Sequence, residues 1–304
     1  MLEKVAFAAL HEQRAKRRWG IFFKLAGLTY LTAVLVLVVD WGGSEQLADG
    51  RHTAVIHLHG TIEAQGEASA QNVNDALEAA FADKGTAGVI LRVNSPGGSP
   101  VQAGIVHDEI RRLRTKHPQI PLYAVVEDLC ASGGYYVAVA ADKIFVDKAS
   151  IVGSIGVLMD GFGFTGTMDK LGVERRLLTA GENKGFLDPF SPQDAKQKEH
   201  ARVLLREIHK QFIEVVRRGR GTRLKETPEM FSGLMWTGNQ SISLGLADGL
   251  GTVGSVARDV IKAERIVEFT IKENIAERFA KRLRADAAQS VAGTLLGSSQ
   301  MLFR

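Results

Sequence analysis

The sequence predicts an α/β protein built on a parallel sheet, with a membrane-spanning helix at its start. Short β-rich runs alternate with segments of helical periodicity from His52 to about Ile271. Two glycine pairs, Gly97-Gly98 and Gly133-Gly134, each follow such a run. In a parallel sheet these strand ends lie along one edge, so both turns can face one cleft. Ahead of all this, the stretch from Trp19 to Val39 carries a single charge, Lys24.

Residues 1–18 read as a basic cytoplasmic tail. Through Lys24 there are six basic residues (Lys4, Arg14, Lys16, Arg17, Arg18, Lys24) against two acidic ones (Glu3, Glu12), which accounts for the whole formal net charge of +4. The high pI therefore reports a tail and not a basic face, which argues against nucleic acid as a partner. Residues 19–41, bracketed by Trp19 and Trp41, match the roughly 20 residues needed to cross a bilayer. Lys24 lies close enough to the end to snorkel. The positive-inside rule then places the N-terminus in the cytoplasm and the chain beyond about residue 42 across the membrane. A cleaved signal peptide fits less well, because Trp41-Gly-Gly-Ser is a poor cleavage site.

Residues 42–51 form a linker, and 52–272 the main domain. His52 to Leu58 is a strand, ended by Gly60. Its His57 and His59 share a face, but with no third ligand they read as polar surface rather than a metal site. Val73, Leu77, Ala80 and Phe81 give helical spacing over Asn72 to Asp83, and Ala87 to Val93 is a buried strand. The run Asn94-Ser-Pro-Gly-Gly-Ser-Pro100 leads into a helix from Gln102 to Lys116. A strand from Ile120 to Val126 meets a polar break, Glu127-Asp128, before the serine motif and its helix. Lys143 to Asp147 is a strand, Thr165 onward a helix, and Glu174 to Thr179 a strand.

Ala180 to Phe190 is an irregular loop, and Ser191-Pro192 opens a helix to about Arg218 with Leu204, Ile208, Phe212, Val215 and Val216 as its stripe. Tight turns at Trp236-Thr-Gly238 and Gly245 to Thr252 precede a helix, Val253 to Ala263, and a strand, Ile266 to Ile271. Residues 273–304 read as an amphipathic helix and a flexible tail. The single cysteine, Cys130, leaves the fold to rely on its core, and its setting between Leu129 and Ala131 reads as a small buried residue.

Chemistry centres on Ser132. A serine at a strand-to-helix turn, followed by two glycines, stands among unpaired amides where a nucleophile would be placed. A helix-capping serine is the commoner occupant of such a position, and on this stretch alone both readings stand. No CxxC, HExxH or Walker loop occurs, so no cofactor or metal is expected. Of the eight histidines, none follows Ser132 in a glycine-rich turn, and His200 and His209 sit within a long helix. A desolvated lysine can replace histidine as the base. Lys143, Lys148, Lys170 and Lys184 are candidates: Lys143 and Lys148 flank a strand as solvated ends, and Lys184 sits in a loop of few charges followed by Gly-Phe-Leu, a context that suits burial, although on spacing alone a surface lysine is the commoner case for each.

Several motifs together carry a resemblance. Leu91 to Gly98 (LRVNSPGG), Ala131 to Tyr136 (ASGGYY), Ala141 to Ile144, Gly153 to Val157 (GSIGV), Ala180 to Lys184 with Pro189-Phe190, Trp236-Thr-Gly238 and Gly245 to Asp248 occur in order. The chain resembles the signal peptide peptidases of serine peptidase family S49, in their short membrane-anchored form. The resemblance implies a crotonase-like (ClpP-like) spiral of βαβ units. It implies Ser132 as nucleophile, Lys184 as general base, Ser154 as the residue orienting that lysine, and Gly98 and Gly133 as the oxyanion hole. It further implies ring-shaped homo-oligomers in the bacterial inner membrane that degrade remnant signal peptides and unfolded hydrophobic chains on the outer side. Asp188 stands where the family often has a serine, and Asn183 replaces a bulkier neighbour of the lysine.

The expected function is a membrane-anchored Ser-Lys endopeptidase. An acyl-CoA enzyme on a crotonase-like scaffold would share the two-glycine hole, and CoA binding would reveal it. A non-catalytic scaffold of the same family would leave Ser132 unlabelled by a serine-reactive probe.

Overall fold

A computed structural model of the chain describes residues 16–33 and 50–271. These fall into two compact units, the N-terminal one represented by a helix, α1, over 16–33. Among the described residues no helix is long and apolar enough to cross a membrane. Lys16, Arg17, Arg18 and Lys24 all fall within α1, and the rest of the 19–41 span lies outside the described residues, as does the helix expected after 273.

The second unit, Ala48–Ile271, is a mixed α/β fold around one eight-stranded, mostly parallel sheet. Its elements are β1 (His52–His59), α2 (Ala70–Ala82), β2 (Thr86–Ser95), α3 (Pro100–Lys116), β3 (Leu122–Ala131), α4 (Gly133–Ala138), β4 (Lys143–Val146), β5 (Ile151–Gly153), α5 (Thr165–Leu171), α6 (Ala195–Arg220), β6 (Met235–Thr237), α7 (Gly238–Ser243), β7 (Gly249–Leu250) and β8 (Ile266–Glu268). The main path runs β6-β5-β3-β2-β1-β8, with β4 and β7 branching from β3. Every pairing is parallel except β5 with β6.

Both faces of the sheet are covered, as parallel sheets require. Ala54, Ile56 and Leu58 of β1, with Leu91 and Val93 of β2, pack under α2, α3 and α4 in the larger core. Val55, Ile90 and Val125 point the other way, onto Val256, Ala257 and Ile261. Serine caps set the helix starts: Ser69 accepts from the Asn72 N–H and Ser99 from the Gln102 N–H.

Two expectations are corrected. Glu127-Asp128 does not break the third strand. β3 continues to Ala131, pairing first with β4 at Tyr123–Val125 and then with β5 at Leu129–Ala131. Glu127 is accommodated because its carboxylate pairs with Arg92 on the neighbouring strand. The strand expected over Glu174 to Thr179 does not form: those residues are irregular and exposed, and a run that opens with Glu174, Arg175 and Arg176 has no sheet edge or core to join.

Candidate active site

Ser132 makes the turn from β3 into α4. Its φ of 52° and ψ of −122° lie on the left-handed side of the map, which costs a non-glycine residue about 1–3 kcal/mol. It stands at the N-cap position, yet its side chain makes no capping hydrogen bond. The backbone holds the turn instead. The Ser132 N–H donates to the Gly153 carbonyl at 2.9 Å, and its own carbonyl accepts from the Tyr136 N–H at 2.9 Å.

The second glycine turn meets the first. Gly97 and Gly98 have φ of 96° and 147°, and Ile62 clamps them from outside. The Ile62 N–H donates to the Gly97 carbonyl and the Ser99 N–H to the Ile62 carbonyl, both at 2.8 Å. This pattern skips the Gly98 amide. A Cβ added to Gly133 would stand 3.3 Å from the Gly98 nitrogen, so the two amides are neighbours. Among the described residues neither N–H donates to a backbone acceptor. Two adjacent, uncommitted donors beside a serine are suited to the charge that develops on a carbonyl oxygen under attack.

Ser132, Gly133, Gly98 and Ser154 line one cavity of about 580 Å³. Its apolar wall includes Ala103, Tyr136 and Phe212, with the Tyr136 ring 5.1 Å from Phe212 and 5.4 Å from the buried His107. Burial holds the His107 imidazole below its usual range, against the opposing pull of Asp108. Ser154 shares the strained geometry of Ser132, with φ of 51° directly after Gly153 at 122°. The Ser154 N–H donates to the Leu234 carbonyl at 2.7 Å, and the Gly156 N–H to the Ser154 carbonyl at 2.9 Å.

Lys184 is not part of this assembly within one chain. It does not line the cavity. Its backbone N–H closes a turn onto Gly181 at 3.0 Å, and the residue is exposed, contrary to the burial its loop suggested. The reason is the arm that carries it: from Gly156 to His200 no residue is buried. Phe162 and Leu178 are 80% and 95% exposed. The arm is nonetheless ordered by its own contacts. Asp188 pairs with Arg175 at 3.1 Å and accepts from the Ser191 hydroxyl at 2.7 Å, and Arg175 lies over the Phe190 ring, itself stacked on Phe164. Lys143, Lys148 and Lys170 are also exposed.

Cys130 is fully buried, where desolvation pushes its thiol up and away from reactivity. His57 pairs with Glu268 at 3.0 Å, and His59 is exposed. One residue that sequence reasoning missed belongs beside the cavity. His209, flanked on α6 by the cavity residues Ile208 and Phe212, places Nε2 3.1 Å from the Ile155 carbonyl. The apolar stripe shared by Ile208 and Phe212 was the signal that this part of α6 faces inward.

The family model of peptidase family S49 matches residues 114–267, about half of the chain. An Enterococcus faecium protein that carries the name signal peptide peptidase SppA is 30% identical over 294 residues, covering 85% of this chain and 84% of its own. Protease 4 of Haemophilus influenzae is 29% identical over 252 residues, which is 81% of this chain and 40% of that protein. A Brucella abortus protein named Na(+)/H(+) antiporter NhaA is 46% identical over 209 residues, so 67% of this chain matches only 28% of that protein's length. With the family match joining the serine turn to the strands around it, the chain belongs to peptidase family S49, as a protein of signal peptide peptidase type.

Proposed function

We propose that the chain is a membrane-anchored serine endopeptidase acting on hydrophobic peptides, including signal peptide remnants and unfolded chains, through a Ser132–Lys184 dyad. The observation that carries this is the pair of uncommitted amides, Gly98 and Gly133, beside a serine whose hydroxyl is not spent on capping. Ser132 Oγ attacks the scissile carbonyl carbon while its proton passes to the neutral Lys184 amine. The oxyanion rests on the two amides, and collapse breaks the C–N bond with the proton delivered to the leaving amine. Water, activated by the same lysine, then releases the acyl group. Ser154, on the cavity wall, orients the lysine. The apolar walls formed by Ala103, Tyr136 and Phe212 favour apolar side chains.

A lysine works as a base only when its amine is shielded from water. Lys184 is exposed in its own chain, on an arm whose apolar residues lack cover. The proposal therefore includes a ring-shaped homo-oligomer in which one copy's arm brings Lys184 to a neighbour's Ser132. Residues 19–41 anchor it in the bacterial inner membrane, with the N-terminus cytoplasmic and the sheet domain on the far side; the spiral ClpP-like arrangement is part of the same proposal. The transport activity named for the Brucella protein is not carried over, because the match covers so little of it.

Co-expression tests the shared site. Ser132→Ala and Lys184→Ala are each expected to be inactive on a hydrophobic peptide, and mixed oligomers to regain activity. Full activity of Lys184→Ala alone would sink the dyad. Two inactive variants that never complement would leave the dyad standing and refute sharing.

A further inference from the structure

We propose that His209 is a positioning residue: its side chain holds the strained Gly153–Gly156 turn that supports both Ser132 and Ser154. The inference rests on the peptidase reading of Ser132 but not on the identity of the base.

Consecutive residues at φ of 122° and 51° form a conformation that persists only where its surroundings over-determine it. The turn is held on several sides. The Gly153 carbonyl receives the Ser132 N–H, the Ser154 N–H goes to Leu234, and the Gly156 N–H returns to Ser154. A Cβ on Gly153 would sit 2.8 Å from the Trp236 ring, so that flank is filled. All of these hydrogen bonds are backbone to backbone. Among the described residues the His209 Nε2 contact with the Ile155 carbonyl, at 3.1 Å and 54 positions away in sequence, is the one side-chain hydrogen bond to the turn. It ties the turn to α6, the helix that also supplies Ile208, Gln211 and Phe212 to the cavity.

The bond needs an N–H on Nε2, because a carbonyl can only accept. A side chain of similar reach with an N–H donor can replace it, whereas one that lacks the donor or the reach cannot. If the turn relaxes, the Gly153 carbonyl moves with it and the Ser132 elbow loses its register. A misplacement approaching 1 Å costs about 100-fold in rate. Partial relaxation is expected to cost about 10-fold, in kcat rather than KM, since the apolar wall is untouched.

The experiment uses the full chain in detergent, with kcat and KM on a hydrophobic peptide and the thermal midpoint measured for each variant. His209→Ala is expected to lose about 10-fold in kcat with KM within twofold, and His209→Gln to restore most of it. Should the alanine variant fail to fold, comparing His209→Gln with His209→Asn decides the same question: both carry an amide, but only glutamine has the reach. Wild-type kcat in His209→Ala, equal kcat in the glutamine and asparagine variants, or a loss that glutamine does not repair would overturn the inference. Ser132→Ala run alongside separates the two levels. If it stays active, the functional reading is wrong; if it is dead while His209→Ala is unimpaired, only the positioning role is.

Discussion

Gly97, which carries no chemical group of its own, is expected to be as intolerant of change as the serine it faces. A Cβ at this position would stand 2.7 Å from the Ser132 Cβ, 2.6 Å from the Gly133 nitrogen and 2.9 Å from the Ala131 carbonyl oxygen. The backbone there has φ of 96°, a region that costs an L-residue about 1–3 kcal/mol before any contact is counted. Carbon atoms rarely approach closer than about 3.4 Å in packed interiors, so in Gly97→Ala the two turns must part by at least about 0.7 Å. The Ile62 clamp prevents the glycine turn from simply retreating, because both its hydrogen bonds, at 2.8 Å, would lengthen. The movement therefore falls on Ser132 and on the Gly133 amide. Displacement of this size, or the loss of one oxyanion donor, each costs about 100-fold in rate. The assay is kcat and KM on a hydrophobic peptide, with Gly104→Ala as control: Gly104 lies within α3 with nothing within 4 Å of an added Cβ, and there alanine is expected to be neutral or stabilising by up to about 1 kcal/mol. Gly97→Ala with more than a third of wild-type kcat would refute the claim that the two turns meet at the reacting centre.

Two further outcomes concern the scaffold and the arm. Arg220, 1% exposed, makes a two-pronged pair with Asp248 at 2.8 and 3.0 Å; Arg220→Met leaves that carboxylate without its main partner, which should cost about 3–5 kcal/mol and lower the thermal midpoint by roughly 10 °C. For Asp248, burial pushes its pKa up, but the Arg220 hydrogen bond, the Ile144 N–H and the charges of Arg220 and Arg223 outweigh it, so the folded value is depressed; its contribution is then complete above the ordinary aspartate range and is lost as pH falls through the lowered value, and an acid midpoint unchanged in Asp248→Asn would contradict this. On the arm, Asp188→Asn weakens the pairing with Arg175 that closes the Lys184 loop, and is expected to lower kcat several-fold while the thermal midpoint stays within about 1 °C, as befits a segment with no buried residue; a large fall in midpoint instead would mean that the arm is integral to the core.

The parts of this fold legible in the sequence are those whose residues decide their own surroundings. The alternation Val55/Ile56, Ile90/Leu91 and Val125/Val126 marks strands buried on both faces, and β1 and β2 match that reading to within two residues, whereas β3 runs five residues past its expected end. The glycine turns were legible because Gly97-Gly98 and Gly133-Gly134 each follow a strand. What failed depended on partners far along the chain. Glu127 looks like a strand breaker until Arg92 is placed beside it. Glu174 to Thr179, half of it charged, has no neighbour to pair with. The exposure of Lys184 could not be read from its loop, since burial there is decided by whatever covers the arm. His209 escaped notice because a helix periodicity shows which face turns inward, not which distant carbonyl lies opposite.

The position of Ser132 was ambiguous for a physical reason, and the way the serine is held departs from the capping arrangement. A capping serine sits at negative φ and lends its oxygen to an amide of the first turn, as Ser69 and Ser99 do here, at φ of −68° and −62°. Ser132 sits at φ of 52° and lends its oxygen to no such amide. The helix start is thereby left without a side-chain cap, and the amide of Gly133 remains available. Strain at the serine and an uncommitted amide beside it are both unfavourable in a purely structural turn, and relief in the capping geometry would take a rotation of about 120° in φ, from 52° to near −68°. That rotation is opposed by the Gly153 carbonyl, which holds the Ser132 N–H, and by Gly97, which packs against its Cβ. Two independent contacts thus keep the serine out of the capping arrangement, and under the proposed function its hydroxyl and the Gly133 amide serve the carbonyl of a bound chain.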